Sequence, residues 1–225
     1  MSYFKQVQAI IWKDIISEAR TKEIFSSMLV FTLLVLVIFN FAFEPGADYM
    51  AKIVPGILWV AYTFAGTLGL NRSMMQEQEN FNLQGLMLCP LDRSAIFVAK
   101  LTGNMLFMMI VELISLPILG VLYNTAIWGV LGKLLLIMLL STLGFASVGT
   151  LLAAMSVNTK TREVMLPILL FPVTIPVIIA AVKSTGQILA GAPWENFSTW
   201  LILLIGFDII FLTVSLLVFE HAIEE

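Results

Sequence analysis

Ile24-Phe-Ser-Ser-Met-Leu-Val-Phe-Thr-Leu-Leu-Val-Leu-Val-Ile-Phe-Asn-Phe-Ala-Phe43 runs for twenty residues without a charge. A bilayer core about 30 Å thick takes ~20 apolar residues as a helix. In lipid, a single segment satisfies its backbone polar groups only as a helix. The stretch therefore reads as a membrane span. No small-x-small cleavage site follows it, so it is expected to remain as an anchor. Five more runs of the same kind follow, near 53–71, 96–121, 126–155, 164–183 and 198–220.

Composition agrees with this reading. The chain has 225 residues, of which 60% are apolar and 12% charged, with a mean hydropathy of +0.98. Soluble domains run to about 45–50% apolar and about 25% charged. The expected fold class is an all-α polytopic membrane protein: one membrane domain over 1–225, with six transmembrane helices over 24–220. The connections on the far side are short, and nothing outside the membrane is large enough to be an enzyme. There is one cysteine, Cys89, and one histidine, His221. No intrachain disulfide, haem-attachment run or metal cluster can be built from them, and no nucleic-acid partner is expected. No phosphate-binding G-x-x-x-x-G-K-[ST] loop occurs. Gly129 to Lys133 has the wrong spacing and continues into Leu134. An ATP-driven machine built on this chain must take its ATPase from a partner.

Lysine and arginine set the orientation. Lys5, Lys13, Arg20, Lys22, Arg72, Arg93, Lys100, Lys160 and Arg162, nine of the twelve basic residues, fall on one side of the six runs. That side is expected to be cytoplasmic, and an even span count puts both termini there. Within residues 1–23, Phe4, Val7, Ile10, Ile11, Ile15 and Ala19 recur at helical spacing among Lys5, Gln8, Lys13, Asp14, Glu18 and Lys22. This is the pattern of an amphipathic helix lying in the interface. It fits an ordinary juxtamembrane helix and a dedicated elbow helix of a transporter equally well.

The connection over 72–95 is polar at first, then apolar at Leu83, Leu86, Met87 and Leu88, and is stopped by Pro90. Proline lacks an N–H and restrains the residue before it. Asp92 or Ser94 can cap the next helix. A short proline-stopped element between two spans can dock on a cytoplasmic partner and move both spans together.

The run Glu77-x-Glu79-x-x-x-Leu83-x-x-Leu86-Met-Leu-x-Pro90-x-x-Arg93-x-x-Ile96-x-x-x-Lys100 resembles the coupling loop of type-2 ABC permeases. More narrowly, the chain resembles the CcmB family, haem exporter protein B. Ile53-Val-Pro-Gly-Ile-Leu-Trp-Val60 is similar to its second span, Leu83-Gln-Gly-Leu-Met-Leu-Cys-Pro90 to its loop and Leu166-Pro-Ile-Leu-Leu-Phe-Pro-Val-Thr-Ile-Pro-Val177 to its fifth span. Two departures occur: Asn80-Phe81-Asn82 stands where the family often has Asp-Gly, and Gln84 stands where Glu is usual.

The resemblance implies a type-2 permease-like bundle in the inner membrane and a permease role in cytochrome c maturation. It also implies a CcmA-type ATPase partner, two permease copies with two ATPase copies, and CcmC-like and CcmD-like membrane proteins. ATP belongs to the partner, no cofactor is expected on this chain, and haem is a candidate substrate. Glu77, Glu79, Leu83, Leu86, Pro90 and Arg93 are the expected coupling residues, with Glu77 and Glu79 meeting basic groups of the ATPase.

Glu112 and Asp208 sit mid-span, where an acid costs about 2.5–3.5 kcal/mol on insertion scales. They are candidate functional acids or neutral acids bonding helix to helix. Pro167, Pro172 and Pro176 share one span and can hinge it or bend it statically. Pro55 opens the second span. Trp59, one turn deeper, reads as an interfacial aromatic or as a flank for a flat ligand such as haem. Two other functions fit parts of the pattern: a type-2 exporter of a lipid, polysaccharide or drug, and an intramembrane enzyme using Glu112 and Asp208.

Overall fold

A computed structural model describes residues 2–43, 50–79, 85, 91–125, 127–156 and 161–222. Seven long helices account for nearly all of them: α1 (Tyr3–Thr21), α2 (Glu23–Ala42), α3 (Met50–Glu79), α4 (Arg93–Leu122), α5 (Leu131–Ser156), α6 (Arg162–Leu189) and α7 (Trp194–Ala222). A 3₁₀ turn, Trp128–Val130, leads into α5. Six helical stretches are long and apolar enough to cross a membrane: Glu23–Ala42, Lys52–Gln78, Arg93–Leu122, Trp128–Ser156, Val164–Leu189 and Trp194–Glu220. The chain is a multi-pass membrane protein.

α5 sits at the centre, against α3, α4, α6 and α7. Its sequence explains the position. Ser141, Gly144, Ala146, Ser147, Gly149, Thr150, Ala153 and Ala154 are all buried, and small residues let membrane helices approach closely. A helix without a polar face belongs inside. Gly144 and Gly149 leave room for Asp208 of α7 and Leu70 of α3 to lie on the α5 backbone. Gly69 of α3 does the same for Met28 of α2. α2 and α7 face mostly outward.

The second span differs from its expected end at residue 71. α3 runs on to Glu79, and Ser73, Met74 and Glu77 are buried. Nothing in Met74-Met-Gln-Glu-Gln-Glu79 breaks a helix, and every residue there favours one. At its other end α3 starts at Met50, which places Pro55 inside the helix rather than at its opening.

α1 and α2 meet at the single residue Lys22, held in the left-handed region at φ 56°. The Phe25 N–H donates to Glu18 Oε1 at 2.8 Å. A carboxylate from the first helix thereby satisfies one of the orphan donors at the start of the second. α1 packs mainly on α4. It buries Gln6, Ile10 and Glu18 against the bundle, while Phe4 and Trp12 are exposed. The apolar periodicity is real, but the helix turns a polar edge to the protein and leaves its aromatics outward, the arrangement of an interfacial helix.

Candidate functional site

Two polar assemblies lie in the bundle, at different depths. The first joins α1, the end of α3 and the start of α4. Lys13 Nζ lies 2.7 Å from Glu77 Oε1 and 3.2 Å from Asp14 Oδ1. Lys100 Nζ lies 2.7 Å from Asp14 Oδ2 and 2.5 Å from Glu77 Oε1. The four groups close into a ring of alternating sign and zero net charge. Their side chains are 2% exposed at Lys100, 6% at Glu77, 12% at Asp14 and 36% at Lys13. Burial alone would push the Lys13 ammonium down. The Glu77 carboxylate, with Asp14 behind it, outweighs that and holds Lys13 above its ordinary 10.5.

The ring ties α1 to both helices that bound segment 80–92. A further tie brings the ends of the chain to the same place. The Asp92 N–H donates to Gln6 Oε1 at 3.4 Å, and Arg93 Nη1 donates to the Glu220 carbonyl at 3.3 Å. The N-terminal helix, the C-terminal end of α3, the start of α4 and the last turns of α7 therefore share one end of the bundle, called the loop end below. Asp92 occupies the N-cap position of α4, but its carboxylate makes no cap bond.

The second assembly is within the membrane. Glu112 Oε1 accepts from the Thr142 hydroxyl at 2.6 Å. The Tyr62 hydroxyl reaches the Glu112 carbonyl at 3.2 Å and Ser115 Oγ at 2.9 Å. Asp208 is buried on α7 against Gly144, and neither of its carboxylate oxygens has a partner among the described residues. Thr142 and Gly144 point about 200° apart on a helix, so the two acids flank α5 from opposite sides. Asn104 Nδ2 donates to Thr150 Oγ1 at 3.1 Å, and Asn40 Nδ2 donates to the Leu122 carbonyl at 2.7 Å.

Several expectations change. Glu77 does not present its carboxylate outward; it is turned into the ring, because two lysines flank it there. Arg93 sits at the loop end as expected, engaged with the end of α7. The Glu79 side chain and residues Leu83, Leu86 and Pro90 lie outside the described residues. Trp59 is buried, its indole N–H donating to Thr185 Oγ1 at 2.9 Å. The cavity beside it leaves about 20 Å³. Pro55 packs beside Gly186 of α6. Pro167, Pro172 and Pro176 all lie inside α6, which continues through them. The Thr174 hydroxyl, between the last two, bonds the Leu170 carbonyl at 2.9 Å. No cluster of three or more metal-ligating side chains occurs among the described residues.

The contribution of α1 to this ring is not legible in its sequence. Asp14 and Lys13 were visible as polar positions on its face, but only the fold shows that they answer Lys100 and Glu77.

The family model described as "CcmB protein" matches residues 5–225. The chain belongs to the CcmB family. Relatives called "Heme exporter protein B" support the assignment along most of the fold. That of Escherichia coli K12 is 33% identical over 168 residues, covering 74% of this chain and 76% of the relative. That of Pseudomonas aeruginosa is 27% identical over 173 residues, covering 77% of each. That of Paracoccus denitrificans is 25% identical over 186 residues, covering 83% of this chain and 85% of the relative.

Proposed function

We propose that this chain is the membrane-spanning permease subunit of an ABC transporter for cytochrome c maturation, coupling ATP hydrolysis by a CcmA-type ATPase to haem export or to release of a haem-loaded chaperone. Membership of the CcmB family carries the reading, and the relatives' name points to haem. The chain works in the inner membrane with both termini in the cytoplasm, as two copies with two ATPase subunits, beside CcmC-like and CcmD-like proteins. Segment 80–92 docks on the ATPase. Closure of the ATPase pair pushes that segment, and the Lys13–Asp14–Glu77–Lys100 ring passes the push to α1, α3 and α4 as one body.

Deletion of the gene in its host tests the reading, with c-type cytochromes and haem on the periplasmic chaperone as readouts. Cytochromes c are expected to be lost. Haem-loaded chaperone accumulates if release is the step served, and is absent if supply is. Normal cytochrome c levels would overturn the assignment.

A further inference from the structure

Lys100, Asn104, Met108, Glu112 and Ser115 recur at spacings that stack them along one face of α4. All but Met108 are polar. Lys100 and Asn104 line a cavity at the loop end with Asp14, Ser73 and Glu77, leaving about 120 Å³ for the centres of water molecules. Further in, Met108 and Glu112 line a second cavity with Tyr62, Ser141 and Phe145, leaving about 20 Å³. That is room for one water, since a single water needs roughly 10–15 Å³ by this measure. Two buried oxygens there, Glu112 Oε2 and Ser141 Oγ, have no partner among the described residues. Glu112 Oε1 is already taken by Thr142, so Oε2 is the oxygen left to engage the water.

Met108 and Phe145 line the inner cavity and not the loop-end one. Gly66 of α3 has no side chain, and a Cβ there would meet Phe145 Cε1 at 2.8 Å and Met108 Cε at 3.3 Å. Met108 and Phe145 therefore close against bare backbone. Methionine has three rotatable bonds and repacks readily, which makes this contact easy to part. Toward the other end, Leu58, Leu116, Leu119 and Leu134 line a space of only about 10 Å³. The inner cavity is thus bounded by Met108 and Phe145 on one side and followed by leucines on the other, where Leu116 also lines a cavity of about 500 Å³.

We propose that Glu112 is a proton-exchange site served by water from the loop-end cavity, with Met108 and Phe145 as its gate. The water gives a proton to the carboxyl as Oε2 gives one up, so the charge of the site does not change. Among the residues lining it, Tyr62 of α3 is the one other titratable group. α5 contributes Ser141, Thr142 and Phe145, α6 contributes Val177 and Ile178, and Asp208 lies behind α5.

Infrared spectra of the full chain in nanodiscs, transferred from H2O to D2O, test this. A carboxylic-acid C=O band is expected that disappears in Glu112→Gln, persists in Asp208→Asn and shifts in D2O. Met108→Ala should speed that shift roughly tenfold, as would follow from lowering the opening cost by about 1.4 kcal/mol. Leu116→Ala, which loosens the opposite seal, should leave it unchanged. If Glu112→Gln does not fold, Glu112→Asp moves the band and gives the assignment. The proposal is overturned if the band never exchanges, if Met108→Ala leaves the rate unaltered, or if Leu116→Ala alone accelerates it.

Discussion

Lys100 on α4 holds Asp14 on α1 at 2.7 Å across 86 positions of chain. A segment that hydropathy assigns to the membrane surface is in this way bolted to the start of the third span. The bond makes α1 part of the packed bundle.

Breaking that ring should be costly in proportion to burial. Removing one partner of a buried pair leaves an uncompensated charge, a loss of about 3–5 kcal/mol. Lys100→Met and Glu77→Gln are therefore expected to lower the unfolding temperature in detergent markedly. Lys13→Ala, at the more exposed corner, should cost about 1 kcal/mol or less. Lys100→Met with Glu77→Met should cost less than the sum of its single changes, which a double-mutant cycle measures. Equal losses at Lys13 and Lys100 would contradict the ring.

The sides of the bundle can be checked by labelling. In a Cys89→Ser background, Gln8→Cys and Gly85→Cys should react with an impermeant thiol reagent from the same face of the membrane. Asn124→Cys, at an exposed left-handed turn with φ 50°, should react from the other. Labelling of all three from one face would remove the six-span topology.

Asp208 invites the opposite test from Lys100. Its oxygens have no partner among the described residues, so Asp208→Asn removes no bond and is expected to leave the unfolding temperature unchanged or raised. Gly144→Ala should destabilise by about 1–3 kcal/mol, because the added methyl must displace the acid that lies on the α5 backbone. Gly144→Ala combined with Asp208→Ala should recover most of that loss.

Trp59→Phe deletes the donor to Thr185 and is expected to cost about 1 kcal/mol. Thr185→Val should cost a similar amount, and the pair should cost little more than either change alone. Full additivity in thermal unfolding would mean that the two side chains act separately.

Much of this fold could be read before any coordinates. The six spans come from runs such as 24–43, where the membrane leaves the backbone no alternative to a helix. The special place of Glu112 and Asp208 came from the cost of an acid in lipid. The ring was not legible, because Glu77 reads the same beside a partner's lysine as beside Lys100 until α1 has docked. The burial of Trp59 is not legible for a related reason. Its position near the start of a span suggests the interface, while its burial depends on Thr185, 126 positions away. Local pattern sets an element and its faces; which face meets which neighbour is decided by packing.

The junction at Lys22 bears on the phase of the N-terminal helix as well as its position. One residue separates α1 from α2, and each residue added to a helix turns everything before it by about 100°. A single insertion within residues 15–21 would turn Asp14 away from Lys100 while leaving every span intact. The result would be a chain that keeps its spans yet has lost the clasp between its first helix and the bundle.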